Sequence, residues 1–193
     1  MWNRDKIMMG HLDAALTEKG IEQANELATH LQSIEFSAVY SSDSLRAVRT
    51  ASIVGRIDSL RIKKSAKLRE RDFAQFEGMS VLAYKEQNKK SLLVRDALPE
   101  SKRWNFTLAG CVESDASLVK RVISALRRIS VGHLGKKVLV STHGGPIRML
   151  LMKLGHAPYG SLPGGSFKNC GYIVVESDGI ELCVKEIHGL KIR

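Results

Sequence analysis

Two stretches of the chain carry residues able to handle an anion. The first is Ser42-Asp43-Ser44-Leu45-Arg46-Ala47-Val48-Arg49-Thr50-Ala51, the second Ser141-Thr142-His143-Gly144-Gly145-Pro146. Each follows a short apolar run and leads at once into a helical pattern. In open α/β sheets ligands bind beyond the C-terminal ends of the strands. Arg46, in the first turn of its helix, presents a planar fork suited to phosphate oxygens. Gly144 and Gly145 let the backbone approach a ligand closely, and a helix N-terminus offers free N–H groups to an anion. His143 falls where such a ligand would lie, with an imidazole able to stabilise a transferring group. Singly, a histidine after a strand is an ordinary loop residue and an arginine on a helix an ordinary solvated charge. Their joint placement at strand ends is what suggests phosphate chemistry.

The elements that hold these residues alternate. Thr17 caps a predicted helix running to about Gln32, with Ile21, Ala24, Leu27, Ala28 and Leu31 on one face. Phe36 to Ser41 reads as a strand, Ser44 to about Gly55 as a helix, and Leu60 to Lys64 as a weak strand. Residues 79–109 are less regular, with Lys85, Lys89, Lys90, Arg95, Lys102 and Arg103 against Glu86, Asp96 and Glu100, a surplus of +3. Ser114 or Asp115 then caps a helix to about Ile129, with Arg127 and Arg128 in its last turn, where cations suit the dipole. Val138-Leu139-Val140 reads as a buried strand and Pro146 opens the next helix. Tyr172 to Glu176 and Glu181 to Ile187 are strands around a Ser177-Asp178-Gly179 turn. This alternation predicts a three-layer α/β/α arrangement with a mostly parallel sheet. Such a domain usually opens on a buried strand, whereas this sequence opens on a polar loop and then a helix.

The 193 residues fit a single domain, 1–193, with one core. No apolar run approaches the roughly 20 residues of a membrane helix, and Met1 to Lys6 lacks the apolar stretch of a signal peptide. Cys111, Cys170 and Cys183 form no CxxC pair and read as free thiols of a cytoplasmic protein, with no zinc site or other metal and no disulfide framework indicated. The net charge of +10 is spread along the chain, without the basic blocks or interleaved aromatics of a nucleic-acid binder. It reads as a solvated basic surface first and as an attraction for phosphorylated small molecules second.

Ser42-Asp43-x-x-Arg46-Ala47-x-x-Thr50-Ala51 resembles the S-D-x-x-R-A-x-x-T-A signature of the histidine phosphatase superfamily, in its phosphoglycerate mutase-like and broad-specificity phosphatase branch. Asp13-Ala14-Ala15-Leu16-Thr17-Glu18-Lys19-Gly20 with Gln23-Ala24 resembles that branch's D-x-P-L-T-x-x-G-x-x-Q-A. Leu68-Arg69-Glu70-Arg71-Asp72-Phe73-Ala74-Gln75-Phe76-Glu77-Gly78 resembles L-x-E-x-x-F-G-x-x-E-G, and His143-Gly144-Gly145 the second histidine motif. The resemblance implies a phosphoglycerate mutase-like fold and catalysis through a phosphohistidine, formed on the histidine of an N-terminal R-H-G-E motif, with no cofactor. It implies that Arg46 and Gly144 bind phosphate, that His143 contacts the transferring oxygens, and that Glu70 protonates the leaving alkoxide. A salt bridge from Glu70 to Arg69 or Arg71 is the plainer alternative.

The sequence departs from that pattern at its start. Trp2-Asn3 match the last two residues of R-H-G-E-x-x-W-N, so the nucleophilic histidine and the first strand are expected to precede residue 1. Asn3, which helps hold the phosphate in relatives, remains. His11, His30, His133, His156 and His188 lie in no phosphate motif, and none reads as a substitute. A chain without that strand is expected to be aggregation-prone and inactive. Two smaller departures are Ala74 for the usual glycine and Ala15 for the usual proline. Gly144-Gly145 in place of Gly-Asn favours hydrolysis over mutase-type transfer, and residues 79–109 take the place of the variable cover over the site. Two functions stay open, a phosphomonoesterase and a catalytically dead phosphate-binding or interaction module.

Overall fold

The computed structural model describes residues 7–191; Trp2 and Asn3 lie outside the described residues. Helix α1, Glu18–His30, starts where the Thr17 hydroxyl accepts the Gly20 N–H at 3.1 Å, as the sequence predicts. Strand β1, Ala38–Ser41, leads into α2, Leu45–Gly55. The strand expected at Leu60–Lys64 is reduced to the two residues of β2, Lys63–Lys64, because Ser59–Arg61 coils into a 3-10 turn capped by Asp58. Residues 65–80 then run irregularly through two more 3-10 turns, Ala66–Leu68 and Ala74–Phe76.

The segment 79–109 holds three short helices, α3 (Val81–Gln87), α4 (Lys89–Ala97) and α5 (Glu100–Arg103). They share a small core of Phe76, Leu108 and Val112 flanked by Phe73, Tyr84, Leu92 and Phe106. Helix α6, Asp115–Val131, is capped by Ser114 and buries Leu118, Val119, Val122, Ala125 and Ile129. Strand β3, Val138–Ser141, feeds α7, Gly144–Lys153, which begins two residues before the expected Pro146. A long hairpin, β4 (Phe167–Ser177) and β5 (Leu182–Leu190), ends the described chain.

The strands form two groups. Parallel strands run in the order β2-β1-β3, with Val39 opposite Leu139, and the antiparallel pair β4-β5 stands apart. Helices cover both faces. On one, α1 and α2 bury Ala24, Val48, Ala51 and Val54 against Val39, Leu139 and Tyr172. On the other, α6 and α7 bury Leu118, Val122, Met149 and Leu151 against Ile173, Val175 and Val184. This is the predicted α/β/α layering. No helix among the described residues is long and apolar enough to cross a membrane.

Candidate active site

Strands β1 and β3 lie in register and end together, so the residues after them meet. Ser42 N–H donates to the Ser141 carbonyl at 2.9 Å, which sets the two polar tails side by side. Ser42 is fully buried, and His143 Nε2 lies 2.9 Å from its Oγ and 3.5 Å from Ser44 Oγ. Burial drives the His143 pKa down to about 4; the Glu70 carboxylate opposes that fall, and the charges of Arg46, Arg121 and His11 add to it. The imidazole is therefore neutral near pH 7 and hydrogen-bonds a hydroxyl.

The start of α2 is capped from outside the helix. Ser44 makes no side-chain cap bond; instead the Leu45 N–H donates to both carboxylate oxygens of Asp13, each at 2.9 Å. Asp13 thereby ties the loop before α1 to the helix bearing Arg46. Arg46 Nη1 donates to the Leu12 carbonyl at 2.8 Å and Nη2 to that of Gly10 at 3.0 Å, with Asp13 Oδ1 3.8 Å away. Burial works against the Arg46 charge, and the carboxylates of Asp13, Glu70 and Glu77 support it. Beside it Arg69 grips Asp43 through two bonds, 2.7 and 2.6 Å, and these hold the Asp43 carboxyl below the usual range.

Glu70 makes no ion pair with either neighbouring arginine, since Arg69 is taken by Asp43 and Arg71 by Asp115. Its Oε1 accepts the Arg71 N–H at 2.8 Å and its Oε2 the Gly145 N–H at 3.0 Å. The space this needs exists because residue 145 has no side chain: a Cβ there would sit 1.9 Å from Glu70 Oε1. Gly10, at φ +50°, makes similar room for Glu77, whose carboxylate accepts the N–H groups of His11, Leu12 and Phe73 at 2.7, 3.1 and 3.2 Å.

Arg46, Glu70 and His143 line one polar cleft of about 90 Å³ together with Gly10, His11, Asp13, Ser42, Asp43, Ser44 and Arg69. Gly144 is the first residue of α7 and does not line it; its carbonyl accepts Arg148 Nε at 3.2 Å. Asn3 lies outside the described residues. A larger groove of about 430 Å³ runs along α3 and α4, lined by Leu82, Leu93 and mixed charges. It lacks the converging donors of the small cleft.

His11, which reads as uninvolved in the sequence, reaches the cleft with Nε2 3.0 Å from the Glu70 carbonyl. Asp13, Asp43 and Glu77 lay inside the motifs, but nothing in their spacing assigned them a contact. His11, Asp72 and Glu77 come close enough, within 4.8 Å, to suggest a cation site. The carboxylates already accept backbone amides, Asp72 Oδ1 that of Ala74 at 2.7 Å and Glu77 the three above, and His11 Nε2 faces the Glu70 carbonyl. The cluster fastens loops.

Parallel strands that deliver an arginine and a histidine to one small polar cleft, under helices on both faces, define the class: an α/β protein of phosphoglycerate mutase-like fold. The family model described as histidine phosphatase superfamily (branch 1) matches residues 1–187, and the chain belongs to that family. It is 36% identical over 151 residues to phosphoglycerate mutase-like protein 4 of Arabidopsis thaliana, covering 77% of this chain and 64% of that protein. It is 31% identical over 158 residues to the metal-independent phosphoserine phosphatase of the same plant, covering 81% and 65%. The chain thus spans a little under two thirds of the length of these relatives. Among solved structures, YhfR of Bacillus stearothermophilus superposes with a TM-score of 0.79 at 26% identity, over 99% of this chain and 92% of that one. A mycobacterial glucosyl-3-phosphoglycerate phosphatase, with a TM-score of 0.77 at 22% identity over 98% and 94%, shares the fold.

Proposed function

We propose that this chain is one domain of a phosphomonoesterase that hydrolyses small phosphate esters through a phosphohistidine, with Arg46 and Asn3 binding the phosphate. His143 contacts the transferring oxygens and Glu70 gives its proton to the leaving alkoxide. The observation that carries this reading is the convergence of Arg46, Glu70 and His143 on one cleft. In the first step a histidine nitrogen bonds to phosphorus, the P–O ester bond breaks, and the alkoxide takes the Glu70 proton. In the second, water gives a proton to the Glu70 carboxylate as its oxygen bonds to phosphorus, and the P–N bond breaks to release inorganic phosphate and the histidine. No Arg-His-Gly stands in this sequence. The chain as given therefore binds the ester without turning it over.

Hydrolysis is favoured over mutase-type transfer by Gly145. The asparagine that the resemblance assigns to cofactor-dependent mutases would bring a Cβ to 1.9 Å from Glu70 Oε1, where this chain keeps its carboxylate. A relative named as a phosphoserine phosphatase suggests phosphorylated small acids as the substrate class, with residues 79–109 as a cover over the site. The free thiols, Cys111 and Cys183 exposed among them, suit the cytoplasm.

Calorimetry with inorganic phosphate and hydrolysis of an aryl phosphate test this reading. The chain as given is expected to bind phosphate, to lose about tenfold or more in affinity in Arg46→Ala, and to release no phenol. An N-terminal extension by a strand ending in Arg-His-Gly is expected to confer turnover with an acid-labile phosphoenzyme. Silence of the extended chain would sink the enzyme reading and leave a phosphate-binding module. Hydrolysis by the unextended chain would overturn the claim that no other histidine serves.

A further inference from the structure

Glu70 stands on neither a helix nor a strand. It lies in the irregular stretch between the 3-10 turns Ala66–Leu68 and Ala74–Phe76. A carboxyl there keeps a fixed position only if its backbone is anchored from elsewhere. The main anchor is a guanidinium from the second turn of α6, joined at the Glu70 carbonyl by His11 Nε2 at 3.0 Å. Arg121 Nη1 donates to the carbonyls of Lys67 and Arg69 at 2.9 and 2.7 Å, and Nη2 donates to the carbonyl of Glu70 itself at 2.8 Å. The carbonyl it passes over, Leu68, accepts the Thr142 hydroxyl at 2.7 Å. Four consecutive carbonyls are thus held, three of them by one side chain.

Arg121 is itself pinned. Its Nε and Nη2 donate to the two oxygens of Glu113 at 2.7 and 2.8 Å, and both side chains are largely buried, 19% and 12% exposed. Glu113 also reaches the far end of the same stretch, accepting the Asp72 N–H at 3.3 Å, while its carbonyl takes Arg71 Nη1 at 2.8 Å. A planar fork with five N–H donors spans this set, and a lysine ammonium, with three donors at one point, does not.

We propose that Arg121 is a positioning residue for Glu70. By fixing the carbonyls from Lys67 to Glu70 against the start of α6, it sets the Glu70 carboxylate over the Gly145 N–H at the mouth of α7. Its catalytic weight rests on the proton-donor reading of Glu70; the positioning itself does not.

Amide hydrogen exchange on the intact chain tests this without turnover. The Gly145 and Arg71 N–H groups report the carboxylate, since both donate to it. In Arg121→Lys they exchange about tenfold or more faster, the factor expected for losing a hydrogen bond to a charged group, and they match their rates in Glu70→Ala. Leu118 and Ala125 amides in α6 keep their rates, which separates repositioning from general loosening. Unchanged rates at Gly145 and Arg71 in a folded Arg121→Lys chain would overturn the proposal. Glu113→Gln, which leaves the guanidinium in place but weakens its anchor, is expected to speed the same two amides by a smaller factor, and an unchanged pair counts against it equally. The unmutated chain gives a reading that needs no variant to fold: the Arg121 Nε–H is protected from exchange and stays so in the presence of phosphate, and a freely exchanging Nε–H refutes the clamp. An extended chain that hydrolyses nothing would remove the proton-donor role of Glu70 while leaving these rates as expected. An active chain with an unprotected Gly145 N–H would do the reverse.

Discussion

Gly145 decides where Glu70 can stand. A methyl group added there meets Glu70 Oε1 at 1.9 Å, so Gly145→Ala must expel the carboxylate. In the extended chain this variant is expected to keep phosphate affinity and to lose about a hundredfold in turnover, the usual share of a positioned general acid. Steady-state kinetics beside calorimetry separates the two effects. His143 gives the second residue-scale prediction. With its folded pKa at about 4 and an unfolded value of about 6.5, both states are neutral above pH 6.5 and the stability contribution is whole. As pH falls below that, the unfolded chain takes up a proton that the folded chain refuses, until pH 4 is reached. Stability at pH 5 is therefore expected to lie roughly 2 kcal/mol below that at pH 7 from this group alone. Urea denaturation at the two pH values checks it, and His143→Gln should flatten the difference. Of these residues, Arg46, Glu70 and His143 were legible in the sequence because each sits at a fixed place in a motif. Glu77, His11 and Arg121 were not. They act on backbone amides and carbonyls, and such contacts leave no period or spacing in a sequence.

At the scale of elements, α2 begins on a residue from another part of the chain. Asp13→Ala removes the carboxylate that accepts the Leu45 N–H and is expected to cost about 1 kcal/mol, the ordinary price of a lost N-cap, read as a lowered urea midpoint. The loop after Glu70 carries the opposite opportunity. Ala74 sits at φ +50°, in the left-handed region, which explains why relatives place glycine there. Ala74→Gly relieves a strain of roughly 1–2 kcal/mol against an entropic cost of roughly 0.5–1 kcal/mol. The expected net gain is about 0.5–1 kcal/mol, checked by thermal melting. The amphipathic helices α2 and α6 were readable because one face is buried along their length, and α1 because Ala24 is buried with Ile21, Leu27 and Ala28 half-buried on the same face. The strand at Leu60–Lys64 was over-read: only Lys63 and Lys64 find a partner, opposite Tyr40 and Ser41. Helices α3 to α5 were missed because their charges are mixed and none of their residues is buried deeply enough to impose a period.

At the scale of the whole molecule, the layered α/β/α order followed from the alternation of elements, but the division of the strands did not, since pairing partners are not written in any one strand. Among the described residues β3 pairs with β1 alone. The Lys137 and Ser141 carbonyls face β1, accepting Ser37 and Ser42. By the two-residue alternation of a strand, Val138 and Val140 turn their backbone groups to the opposite edge. The sequence leads to a buried strand here, yet all four residues of β3 are only partly buried, although Leu139 packs with residues of α2. Amide exchange is expected to be slow at Leu139 and markedly faster at Val138 and Val140, in contrast to the uniform protection of a strand paired on both sides. Equal protection along β3 would show that its second edge is covered.

The two bonds from Arg46 to the Gly10 and Leu12 carbonyls have a further meaning. They take up two of its five N–H groups and hold the plane of the fork in one orientation. A long arginine side chain otherwise carries several rotatable bonds whose freedom has to be given up when a ligand is gripped. Here that freedom is surrendered as the chain folds. On the phosphate-binding reading proposed above, the N–H groups left over meet an anion already aimed, so the entropy of ordering falls on folding rather than on affinity.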